Sequence, residues 1–100
     1  MGHAVDMAVL IDPPTWPAHG TLFSHLVSDV SFDELHDFAK GAGVSPRAFD
    51  RDHYDVPMHL YDHLVRMGAV PVRSRDLVQR LIASGLRRRK HLSPPVITTD

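Results

Sequence analysis

Six consecutive residues, Asp50-Arg51-Asp52-His53-Tyr54-Asp55, gather carboxylates, an imidazole and a phenol into one short polar stretch. Carboxylate and imidazole together can ligate a divalent metal, or divide general acid and general base roles between them. A structural account covers part of the same stretch. Asp55 could cap a following helix while Tyr54 packs its ring, and the spacing alone favours that account. Two further residues could complete a site. Asp12 ends an apolar run and is followed by Pro13-Pro14, and His25 lies in a segment of alternating character. The catalytic candidates are therefore His25, His53, Tyr54 and Asp55, with Asp12, His25, His53 and Asp55 as the metal-ligating set. For His25 the competing expectation is a hydrogen-bonded core histidine.

Three other features carry weaker signals. His59 and His63 stand four apart, the spacing with which one helix face grips zinc, but Leu60 occupies the position of the metalloprotease glutamate. Asp62 and Arg66 share that face, which makes it an exposed, charged surface. Arg87, Arg88, Arg89 and Lys90 form a basic run that could hold phosphates with salt-dependent affinity, or simply fray at a helix end. No aromatic residue is interleaved with that run, so it predicts at most weak, nonspecific nucleic-acid contact. Trp16, the sole tryptophan, sits among prolines and could close a pocket over Asp12 or cover a core edge. No Walker loop, dinucleotide glycine fingerprint or nucleophile elbow is present.

The elements that must position these residues follow from local pattern. Ala8 to Ile11 is a short apolar run stopped by prolines, which predicts a buried strand. Asp12 then stands at its C-terminal end, where open α/β sheets collect ligands. Thr15 to Gly20 is expected to be a loop, and Thr21 to Val27 a second strand. Ser31-Phe32-Asp33-Glu34 is a capping-box pattern. Leu35, Phe38, Ala39 and Ala42 continue it as a helical stripe, ended by Gly41 and Gly43. Ser45-Pro46 starts one short turn through Phe49. Asp50 to Val56 is then a polar connection into a helix capped by Asp55 or Val56, striped by Leu60, Tyr61, Leu64 and Val65, and ended at Gly68. Ala69 to Val72 is a strand that Pro71 pushes toward an edge. Ser74 caps a last helix whose buried face is Leu77, Val78, Leu81 and Ile82.

These elements predict a small α/β domain of two or three layers, with a short, partly parallel sheet of two to three strands and about three helices. The expected organisation is a leader over 1–7, one domain over 8–86 and a basic, proline-containing tail over 87–100. One hundred residues suffice for one modest core. The absence of cysteine excludes disulfides and thiolate chemistry and suits a reducing cytoplasm. No run approaches membrane-span length and no basic segment precedes the first apolar run, so the expected location is cytoplasmic. A net charge of −1 with histidine neutral argues against electrostatic nucleic-acid binding by the whole molecule.

Read together, Val9-Leu10-Ile11-Asp12, Ser24-His25-Leu26, Glu34-Leu35-His36, His53-Tyr54-Asp55-Val56 and Gly68-Ala69-Val70-Pro71-Val72 resemble a family of small bacterial proteins. That family is known as domain of unknown function 4031. The resemblance spans about residues 8–84 and has His-Tyr-Asp as its most specific motif. It implies a stand-alone α/β domain and adds weight to Asp12, His25, His36 and His53-Tyr54-Asp55. The family has no assigned activity; the function expected from the residues themselves is a His/Asp pocket, metal-assisted or acid–base, acting on a phosphate- or nucleotide-like ligand, with zinc or manganese as the candidate divalent metal. The alternative is a non-catalytic binding or regulatory module contacting protein or nucleic acid. No membrane partner is expected, and the pattern is compatible with a homodimer.

Overall fold

The computed structural model describes residues 8–87, so the leader, Arg88 to Lys90 and the rest of the tail lie outside the described residues. The chain forms β1 (Val9–Ile11), β2 (Trp16–Ala18), β3 (Thr21–Ser28), α1 (Phe32–Gly41), β4 (Phe49–Asp50), β5 (His53–Pro57), α2 (Tyr61–Arg66), β6 (Val70–Pro71) and α3 (Ser74–Ala83). The sheet has six strands in the order β4-β5-β3-β1-β6, with β2 also paired to β3. Only β1 and β6 are parallel among the pairs of this sheet.

The expected sheet of two to three strands was therefore too small. Trp16–Ala18, expected as loop, pairs with Phe23, Leu22 and Thr21. His19 (φ 48°) and Gly20 (φ 79°) make the two-residue turn between them. Two successive positive φ values give the turn whose twist suits a hairpin. The expected polar connection at 50–56 is a second hairpin, in which Phe49 pairs with Tyr54 and Asp50 with His53. Helix α2 consequently starts at Tyr61, after a single 3₁₀ turn over Met58–Leu60, and Asp55 caps nothing. Proline and charge in these segments hid strands that form through pairing with their neighbours, β2 with β3 and β4 with β5, rather than from intrinsic preference.

Two cores flank the sheet. On one face α1 and α2 bring Leu35, Ala39 and Leu64 against Val9, Ile11, Leu26, Tyr54 and Val56. On the other, α3 brings Leu77 and Leu81 against Leu10 and Val27. The domain is thus three-layered. Ser31 caps α1 as its sequence predicts, accepting the Glu34 amide at 3.0 Å. Glu34 does not reach back to the cap; its carboxylate accepts the Ser28 hydroxyl instead.

Helix α3 is pinned at both ends. The Ser74 hydroxyl, expected to cap it, instead donates to Asp12 Oδ2 at 2.8 Å, and Arg73 occupies the cap position. Arg80 donates to Asp29 Oδ2 at 2.6 Å. Because α3 covers only the Leu10 and Val27 part of its face, the rest of that face, around His25 and Asp55, has no helix upon it among the described residues.

Leu81 is fully buried beneath α3. Leu81→Ala should cost about 2–5 kcal/mol in urea unfolding, whereas Met58→Ala, at an exposed position, should change stability by about 0.5 kcal/mol or less. A Leu81→Ala loss no larger than the Met58→Ala loss would contradict the packing of α3.

Candidate functional site

The pairing of β3 with β5 assembles the site. In that antiparallel pair His25 is the register partner of Asp55, and Leu26 that of Tyr54. Side chains alternate between the faces of a strand. His53 and Asp55 therefore project to the same side as His25, while Tyr54 projects to the other. A ligand atom from each of His25, His53 and Asp55 lies within 4.8 Å of the others. The two imidazole rings meet edge to face with centroids 5.2 Å apart.

Each histidine is backed by a buried carboxylate. Nδ1 of His25 lies 2.9 Å from Asp12 Oδ2, and Nδ1 of His53 lies 2.8 Å from Asp52 Oδ1. An ionised carboxylate only accepts hydrogen bonds, so both Nδ1 atoms carry the proton and donate it. That leaves Nε2 of each ring free to face the cluster. A carboxylate behind a histidine in this way is the usual outer support of a metal ligand, fixing its tautomer and orientation.

The supports are themselves held. Asp12 also accepts the His25 amide at 2.6 Å and the Ser74 hydroxyl, and its own amide donates to the His25 carbonyl at 3.2 Å. Burial pushes the Asp12 pKa up, but the hydrogen bonds from His25 and Ser74 and the charge of His25 outweigh it and hold it below its ordinary value. In return the hydrogen bond to Asp12 raises the His25 pKa; burial opposes this, and the charges of Asp12 and Asp55 reinforce it. Asp52 sits in the β4–β5 turn, after Arg51 at φ 62°. Arg87 grips it from beyond α3, with Nε to Oδ2 at 2.8 Å and Nη2 to Oδ1 at 3.1 Å. Burial raises the Asp52 pKa, but Arg87 and His53 overcome it and lower the pKa on balance.

Asp55 is different. Its Oδ1 is buried, has no hydrogen-bond donor among the described residues, and lies 3.1 Å from His53 Nε2. The contact is short but lacks the alignment of a hydrogen bond. With Nδ1 donating to Asp52, Nε2 of a neutral His53 has no proton to give, so this buried oxygen has an acceptor beside it and no donor among the described residues.

Of the residues singled out from sequence, His25, His53 and Asp55 converge. Asp12 stands behind His25 instead of beside the other ligand atoms. Tyr54 lies on the opposite face, where its hydroxyl is 2.7 Å from His36 Nδ1 and its ring packs with those of Phe49 and His36. His63 Nε2 donates to the Ala42 carbonyl at 3.0 Å, away from the cluster, and His59 lies in the 3₁₀ turn before α2. Arg87, expected to be part of a phosphate-binding run, is engaged by Asp52. Three contributors escaped sequence reasoning. Asp52 was visible only as one more acid in a polar stretch, Ser74 had the signature of a cap, and Arg87 that of a loose basic end.

The fold and this cluster define a small three-layer α/β domain carrying two histidines and a carboxylate on an open part of its sheet. The chain belongs to the family described as protein of unknown function (DUF4031), which it matches over residues 9–84. Comparison with curated proteins and with solved structures finds no match in either. No helix among the described residues is long and apolar enough to cross a membrane.

The Asp12–His25 pair sets a pH window for the metal-stripped protein. The folded pKa of His25 is raised, so its contribution is complete below the ordinary histidine value of 6.5 and is lost as pH rises through the higher folded value. The folded pKa of Asp12 is lowered, so its contribution is present above the ordinary 3.8 and is lost as pH falls through the lower folded value. The stability difference between the wild type and His25→Ala, followed by urea unfolding with chelator present, should therefore shrink on the alkaline side. A difference that grows above neutrality would refute the linkage.

Proposed function

We propose that His25, His53 and Asp55 hold one divalent cation, and that this centre handles a phosphate-type ligand. The observation that carries the reading is the buried, unpartnered Oδ1 of Asp55 facing His53 Nε2, inside a cluster whose two histidines are each backed by an aspartate. Two imidazoles and one carboxylate suit zinc first, with manganese as the alternative. Zinc ligands about 2.0–2.2 Å from the ion lie roughly 3.4 Å apart in a tetrahedron, so side-chain shifts of about an ångström would draw the three together.

Three protein ligands, unlike the four of a closed structural zinc site, leave a position for water or ligand. The ion would supply Lewis acidity and a lowered water pKa at that position. The chain's own residues orient and support. Asp12 and Asp52 hold the histidine tautomers that present Nε2, and Ser74 and Arg87 hold those aspartates in turn.

The test is a thermal melt of the full chain and of His53→Ala, with zinc, manganese or chelator, alongside a metal count. The wild type should take up one ion per chain and melt higher with it, while His53→Ala should lose both responses. Asp12→Asn should weaken metal affinity by about 10–100-fold without abolishing it. A wild type that melts identically with metal and with chelator would defeat the reading.

A further inference from the structure

A cleft of about 610 Å³ opens on the part of the sheet that no described helix covers, lined among others by Trp16, Phe23, Arg47, Asp50, Asp55 and Pro57. Its volume falls within the range of about 300–1,000 Å³ usual for small-molecule sites. The register of β3 with β5 pairs Phe23 with Pro57 and His25 with Asp55, which sets Phe23, Asp55 and Pro57 on one face as its floor. Trp16 stands on one side, and the Ser45–Asp50 segment on the other. Asp55 belongs both to this cleft and to the cation cluster, and it is the residue that links the two.

Trp16 is 48% exposed, a large apolar surface left facing water. It is nonetheless held in place. Its backbone is paired with Phe23, and its ring meets Phe23 edge-on at 6.4 Å and lies tilted over His25 at 5.8 Å. A rigid, half-bare indole at the mouth of a cleft is a stacking platform for a planar ring. The polar content of the cleft points to the other half of the ligand. Arg47 is exposed and makes no ion pair among the described residues. Asp50 and Asp55 line the same cleft, so without a cation it carries more negative than positive charge and repels phosphate. A divalent ion on Asp55 reverses that sign.

We infer that this cleft binds a nucleoside monophosphate, with its base against Trp16 and its phosphate between Arg47 and the cation. The inference rests on the metal reading above and goes further by naming the ligand class and the residues that select it. Arg47 would pair with phosphate oxygens as a charge-assisted donor.

Trp16 is the only tryptophan in the chain, so its fluorescence reports directly on the cleft. The full-length protein would be loaded with zinc, its zinc content measured, and AMP, adenosine and ribose 5-phosphate titrated separately. AMP should quench the fluorescence saturably. Ribose 5-phosphate should bind about tenfold more weakly for want of the stacked base, and adenosine weakly for want of phosphate. By calorimetry, Arg47→Ala should weaken AMP and ribose 5-phosphate by similar factors, and Trp16→Leu should weaken AMP to near the ribose 5-phosphate level. Chelation should abolish AMP binding. Failure to take up zinc would defeat the metal reading itself. One zinc per chain with no AMP binding, or with AMP and ribose 5-phosphate binding equally, would overturn the cleft assignment while leaving the metal centre standing. AMP binding unchanged by chelator would overturn the part given to the cation.

Discussion

The side chain of Asp12 is almost wholly withdrawn from water, and a carboxylate stays charged there only while its lone pairs are engaged. Its partners come from two other elements: the amide and ring of His25 on β3, and the hydroxyl of Ser74 at the start of α3. One buried group therefore ties the end of β1 to the middle of β3 and to the N-terminus of α3. Had the same helix been held only by its apolar face, it could slide along the sheet at modest cost. The Ser74 hydrogen bond fixes the start of α3, because a slip would break it and cost the buried carboxylate one of its partners.

The same logic repeats at the far end of the site. Asp52 occupies a tight turn that places Arg51 at positive φ, a strained conformation for a residue with a side chain. The turn holds Asp52 where it can take His53 on one side and Arg87 on the other. Each histidine of the cluster is thus clamped by an aspartate that is clamped in turn by a residue at the start of α3 or beyond its end. Asp29 anchors the middle of this arrangement by accepting both Arg80 and the Ala8 amide. Helix α3 acts as a brace beside the site, on the same face of the sheet as the ligand atoms of His25, His53 and Asp55.

The two faces of β5 divide the labour. Tyr54 and Val56 point into the core shared with α1 and α2, while His53 and Asp55 point to the open face. The Tyr54 hydroxyl, buried among rings, is satisfied by His36, and burial raises its pKa. The most specific three-residue motif in the chain is therefore half site and half core. Its middle residue holds the strand flat against α1 so that its neighbours face outward.

Much of the skeleton was determined locally. The Ser31 cap and its apolar stripe specify α1, the prolines after Ile11 end β1, and Pro71 marks an edge strand, because each of these effects acts within a few residues. The convergence of His25 with His53 and Asp55 could only be suspected from residue types. It depends on a strand register between segments about thirty positions apart, and a slip of one residue would have sent His53 into the core and Tyr54 to the open face. The hairpins that build that register were hidden by the proline in Trp16–Ala18 and by the charges of 50–55. Such residues disfavour a strand in isolation and become strand only when a neighbour supplies the hydrogen bonds. Tertiary structure alone decided that Asp12 supports His25 from behind, that Ser74 donates to a carboxylate instead of capping its helix, and that Arg87 reaches back to Asp52, since each of these contacts joins groups that the chain keeps far apart until it folds.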